Sequence, residues 1–151
     1  MKILIMGLLM LGSYSVFATQ TSFNSCSLSK TGHDFSLKVN KAVVNKGHGE
    51  DQILKQLKGL AGVCQPLSCS LRSVNGEFTF KVDQAVVITG YNKFYFLKQI
   101  KELAGVCKPL SCSLTKDYDE FSLKVDQAVM STGYNEVYFL KQVKELARVC
   151  K

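Results

Sequence analysis

Six cysteines are the side chains of this sequence best suited to chemistry, because thiols form disulfides, bind metals and act as nucleophiles. They fall in two interleaved series with a period of 43 residues: Cys26, Cys64, Cys69, Cys107, Cys112 and Cys150. No Cys-x-x-Cys motif occurs and no histidine recurs with the cysteines, so we do not expect a zinc site. An even, periodic set without an obvious activating histidine also argues against thiol catalysis.

The periodic spacing instead favours structural disulfides. We predict one bond within each repeated unit: Cys26–Cys64, Cys69–Cys107 and Cys112–Cys150. Closing a loop of this length removes about 4 kcal/mol of unfolded-state entropy in the simple chain model. The alternative pairing joins neighbouring units across their linkers, which leaves Cys26 to meet Cys150 by closure of the whole molecule.

The cysteines frame three repeats, at residues 26–64, 69–107 and 112–150. The second and third repeats are identical at 26 of 39 aligned positions, and the first aligns with them without a gap. We therefore predict an α+β fold of three tandem ββα units, each a hairpin packed on one amphipathic helix and stapled by a disulfide. The linkers are so short that neighbouring units must touch.

Local patterns define the elements within each unit. In unit two, apolar and polar residues alternate on both sides of Asn75-Gly76, a pair that favours a tight hairpin turn. The alternation breaks at 85–87, where the second strand either bulges or ends. Apolar residues then recur at three- and four-residue spacing and predict a helix of about 14 residues. Asn92 and its counterpart Asn135 suit the N-cap of this helix.

The N-terminal residues have the pattern of an export signal. Residues 1–18 begin with a charge at Lys2, continue through an apolar run and end in Ala18. We predict a signal peptide cleaved after Ala18, with a retained membrane anchor as the alternative. We then expect residues 19–151 to form one compact region without a membrane span. This region would be secreted or periplasmic, and therefore in an oxidising environment.

The charge is basic but moderate, at +7 for the whole sequence. A Lys-x-x-Lys pair occurs on every predicted helix, and these side chains are candidates for binding an anion: Lys55, Lys58, Lys98, Lys101, Lys141 and Lys144. A lysine also recurs on the polar face of the second strand, at Lys38, Lys81 and Lys124. With the helices outward, such residues would form a repeated basic surface. The alternative is that they only keep the outer faces solvated.

Two further groups are candidates for contact. Tyr91 and Tyr134 lie in loops before the second and third helices, where they either touch a carbohydrate or protein partner or pack over their own helix start. His33 and His48 occur only in unit one. They either form a weak metal or acid–base site, or they are surface turn residues.

The sequence contains no repeated catalytic constellation and implies no cofactor. We therefore expect a non-enzymatic exported protein that binds or supports other molecules through a repeated, mildly basic surface. Its partner would be an envelope or extracellular protein or an anionic polymer. The alternative is a secreted inhibitor or effector that acts on another protein through its hairpin turns, which differ between units.

Overall fold

The computed structural model describes residues 23–151. The predicted signal peptide at 1–18 lies outside these residues. The described chain forms three consecutive units of the α+β class, each with an antiparallel sheet, one helix and one disulfide. The predicted three-repeat architecture is therefore confirmed.

The elements recur in the same order in every unit. Unit one contains β1 (Cys26–Thr31), β2 (Asp34–Val39), β3 (Ala42–Gly47) and α1 (Glu50–Lys58). Unit two contains β4 (Cys69–Val74), β5 (Glu77–Val82), β6 (Ala85–Gly90) and α2 (Lys93–Glu102). Unit three contains β7 (Cys112–Asp117), β8 (Glu120–Val125), β9 (Ala128–Gly133) and α3 (Glu136–Glu145).

The first two strands of each unit form the predicted hairpin. In unit two both turn residues have positive backbone angles, with φ 52° at Asn75 and 81° at Gly76. Leu71 faces Phe80 in the register of this hairpin. Both side chains are fully buried, so the two strands contribute to the same apolar face.

A third strand follows the hairpin, so the predicted ββα unit is extended to βββα. In unit two the chain turns at Asp83, which adopts a left-handed φ of 52°, and β6 pairs with β5. The register then shifts, because Lys81 faces Val86 while Phe80 faces Ile88. Val87 is the extra residue of a β-bulge, which explains the break in alternation.

Side-chain caps start the second and third helices as predicted. The Asn92 Oδ1 accepts a hydrogen bond from the backbone nitrogen of Phe94 at 3.1 Å. The Asn135 Oδ1 accepts one from Tyr138 at 3.1 Å. Both later helices have ten residues, fewer than predicted, because α2 gives way to turns after Glu102.

The core of each unit lies between its sheet and its helix. In unit two the ring centroids of Phe78 and Phe96 are 5.4 Å apart, and their counterparts in unit three are 5.5 Å apart. The predicted disulfide pairing is confirmed, with Cα–Cα distances of 5.7, 5.5 and 5.4 Å. Each bond ties the first strand of a unit to the chain beyond its helix, and thereby closes the core at one end.

The three sheets lie side by side. The first strands of units one and two contact the third strand of the unit that follows, so β1 lies beside β6 and β4 beside β9. The outer edges of this row of sheets are β3 and β7. No helix within residues 23–151 is long and apolar enough to cross a membrane.

Candidate functional site

A turn carboxylate joins unit two to unit one, and an equivalent carboxylate joins unit three to unit two. Asp83 accepts a hydrogen bond at 2.9 Å from the backbone nitrogen of Leu28, which lies on the edge strand of unit one. Asp126 accepts the equivalent bond from Leu71, also at 2.9 Å. A charged acceptor therefore satisfies an edge amide that would otherwise need a water partner, and this fixes the offset between neighbouring sheets.

Side-chain contacts also fix the offset between neighbouring helices. Lys58 forms an ion pair with Glu102, and the Tyr95 hydroxyl lies 3.5 Å from Asp51. Both contacts join residues 44 positions apart, one near each end of the two helices. The helices α1 and α2 therefore run parallel and in register.

The ion pairs change the interpretation of the predicted anion-binding lysines. Lys58 is paired with Glu102 and Lys101 with Glu145, so these two cations are neutralised by acids of the next unit. The hydrogen bond from Lys101, together with its charge, lowers the pKa of the Glu145 carboxyl below its ordinary value. Lys144 occupies the corresponding position in unit three and is exposed.

Besides Lys144, three of the predicted lysines remain available on the helices, and these three share one position in the repeat. Lys55, Lys98 and Lys141 occupy the same position on successive helices, and all three are exposed. Because the contacts between units hold the helices in register, these side chains repeat from one unit to the next along the row of units. We call them the lysine row.

The sequence left two interpretations of the tyrosines before the helices, and one was that they pack over the helix starts. They do not pack there. Tyr91 is 72% exposed and Tyr134 is 74% exposed. Three residues later, Phe94 and Val137 are exposed as well. Phe94 lies four residues before Lys98, and Val137 lies four residues before Lys141. At this helical spacing the exposed apolar residue and the lysine are neighbours on one face of the helix.

Unit one differs at this position. His48 replaces the tyrosine, its Nδ1 contacts the carboxylate of Asp34, and both side chains are largely exposed. His33 lies in the exposed turn between β1 and β2. Neither histidine belongs to a group of three or more potential metal ligands within residues 23–151.

The strand lysines lie on a different surface from the helix lysines. Lys81 alternates with the buried Phe80 and Val82, so it projects from the sheet face opposite the helix. It lines a polar groove of about 570 Å³, together with Arg72 and Gln127, at the boundary of units two and three. The basic residues therefore form two surfaces, one on the helices and one on the sheets.

The functional residues that the sequence analysis missed are the acids between units: Asp83, Asp126, Glu102 and Glu145. All six cysteines are in disulfides, so the described chain holds no free thiol. No family model matches this chain, and no curated protein or solved structure shows a significant similarity to it.

Proposed function

We propose that this is an exported, non-enzymatic binding protein whose helices present a repeated basic and aromatic surface to an anionic polymer. The observation that carries the proposal is the lysine row, because Lys55, Lys98 and Lys141 recur at one position of three helices held in register. Export is supported by the signal pattern at 1–18 and by three disulfides, which persist in oxidising compartments.

A polymer fits this surface better than a small anion does. Charges that repeat along a rigid array match charges that repeat along a chain, so several weak contacts add within one complex. The exposed rings of Tyr91 and Tyr134 lie close in sequence to the lysines and offer flat surfaces for a sugar ring. An acidic polysaccharide is therefore the favoured class of ligand.

Binding to a heparin-like polymer at low salt tests the proposal. Replacing Lys55, Lys98 and Lys141 by glutamine should weaken binding and flatten its salt dependence, because fewer condensed counterions are released. The matched control replaces Lys38, Lys81 and Lys124, which removes the same charge from the sheet surface and should have a smaller effect. Equal losses would favour the summed field of the protein over the lysine row.

The unmodified protein provides the decisive measurement. If it has no measurable affinity at low salt for heparin-like polymers, nucleic acid or anionic lipid, the polymer proposal is wrong. Protein binding would then be the better candidate.

A second candidate function, a secreted inhibitor or effector, is favoured by one observation. Tyr118 lies at the tip of the hairpin between β7 and β8 and is 95% exposed. Large exposed aromatic side chains on turns are suited to inserting into a pocket of another protein. If this function holds, replacing Tyr118 by serine should abolish binding to the target protein and leave polymer binding unchanged.

A further inference from the structure

The outward face of unit three is uncovered where the same face of units one and two is buried. Leu28 and Leu71 are 2% and 0% exposed, because the next unit packs on their strands. Their counterpart Leu114 on β7 is 36% exposed. Among residues 23–151, no following unit covers this edge of the array.

The helix of unit three shows the same difference. Leu140 and Val143 on α3 are exposed, whereas the residues at their positions on α1 and α2 are buried. Together with Leu114, Val143 lines a groove of about 250 Å³ whose floor includes Leu146. Leu114, Leu140, Val143 and Lys144 define what we call the unit-three face.

The polar groups of this face are hydrogen-bond donors and cations. The backbone nitrogen of Leu114 corresponds to those of Leu28 and Leu71, each of which donates to an aspartate of the next unit. Lys144 corresponds to Lys58 and Lys101, each of which pairs with a glutamate of the next unit. A complementary occupant must therefore supply two carboxylates.

The opposite end of a second copy does not supply them. Unit one has Asn40 at the position of Asp83, and Gly59 at the position of Glu102. The Asn40 Oδ1 accepts from the Ser25 nitrogen and its Nδ2 donates to Asn24, so the outer atom of this side chain is a donor. A second copy stacked on the unit-three face would bring donor against donor at the turn and would lack the helix carboxylate.

We propose that the unit-three face docks a separate protein that presents a turn carboxylate, a helix carboxylate and an apolar strip between them. The occupant is inferred from charge complementarity. The contacts between units one and two, and between units two and three, show which groups bind the residues equivalent to the unit-three face. The lysine row takes no part in it, so the docking proposal and the polymer proposal can fail independently.

The full-length protein can be converted into a probe of this chemistry. The double variant N40D/G59E gives unit one the two carboxylates that units two and three already carry. Aspartate suits the left-handed turn at position 40, since Asp83 and Asp126 adopt the same conformation. Sedimentation velocity then measures the association of the variant with itself and with the unmodified protein.

We expect N40D/G59E to form concentration-dependent head-to-tail oligomers and to bind the unmodified chain, which stays monomeric alone. Adding Leu114→Asp to the double variant should weaken its self-association by about tenfold or more, since it places a charge against an apolar strip. Circular dichroism checks that each variant is folded, and the single variant N40D provides a second, less perturbing probe that should associate more weakly than N40D/G59E.

Three results would overturn the proposal. Folded N40D and N40D/G59E that both remain monomeric would show that the unit-three face does not bind carboxylates. Self-association of the unmodified protein that is lost in Leu114→Asp would make a second copy the occupant. Oligomers of N40D/G59E that persist with Leu114→Asp would place the contact elsewhere and would also count against it.

Discussion

The carboxylate of Asp83 lies 2.9 Å from the backbone nitrogen of Leu28, so a turn residue of unit two accepts a hydrogen bond from an edge amide of unit one. The other carboxylate oxygen of Asp83 accepts a bond from the backbone nitrogen of Ser68 at 3.3 Å. One side chain thus binds both the linker that precedes unit two and the sheet of unit one. It uses both of its acceptor oxygens to do so.

Asp83→Asn should lower the free energy of unfolding by about 1–3 kcal/mol, because an amide replaces one of the two acceptor oxygens. Urea denaturation measures the loss. Asp119→Asn is the matched control, since Asp119 is exposed in a hairpin turn and its replacement should cost less than about 0.5 kcal/mol. Equal effects of the two substitutions would show that the Asp83 bonds contribute nothing specific.

Replacing Cys69 and Cys107 together by alanine should destabilise the protein by about 2–4 kcal/mol, since the 38-residue separation constrains the unfolded chain. Thermal or urea unfolding under non-reducing conditions gives the value.

Peptide mapping without reduction should recover three bonds of equal sequence separation. A peptide in which Cys64 is joined to Cys69 would contradict the pairing.

The ion pair of Lys101 with Glu145 should make part of the stability depend on pH. The folded pKa of Glu145 is lowered, so the contribution is present above the unfolded pKa and is lost as pH falls through the folded value. In an NMR titration, Lys101→Gln should raise the pKa of Glu145 towards its ordinary value. Lys55→Gln, on a distant helix, should leave it unchanged. A Glu145 titration that does not respond to Lys101→Gln would rule out the pair in solution.

Replacing Tyr91 and Tyr134 by serine should weaken polymer binding and leave the free energy of unfolding within about 0.5 kcal/mol, because both rings are exposed. Isothermal titration with a heparin-like polymer measures the first effect. Tyr118→Ser, on the hairpin turn of unit three, serves as the control and should not change polymer affinity. Loss of stability without loss of binding would assign the tyrosines to packing.

The elements that local chemistry determines could be predicted from the sequence. The hairpin turn at Asn75-Gly76, the cap at Asn92 and the periodic cysteines each depend on residues close in sequence or on the repeat itself. The third strand was missed because the turn before it uses Asp83 in a left-handed conformation, without the glycine that normally marks such a turn. The bulge at Val87 also disrupts the alternation that would have indicated a strand.

The arrangement of the units could not be predicted, because it depends on contacts between residues more than 40 positions apart. Asp83 and Glu102 are of residue types that are common on protein surfaces. Only their bonds to the previous unit show that they hold the units together. One signal was present in the sequence: unit one alone has Asn40 and Gly59 at these positions. A difference confined to the first repeat is typical of a terminal repeat.

The in-register stacking of the units has a consequence for how the protein opens. Every hydrogen bond and ion pair between units within residues 23–151 joins neighbours, so unit two alone is held on both sides. In a linear array of this kind the ends fray before the middle. Amide hydrogens of β5 should therefore exchange more slowly than those of β2 or β8, and a protease should trim the array from its ends inward.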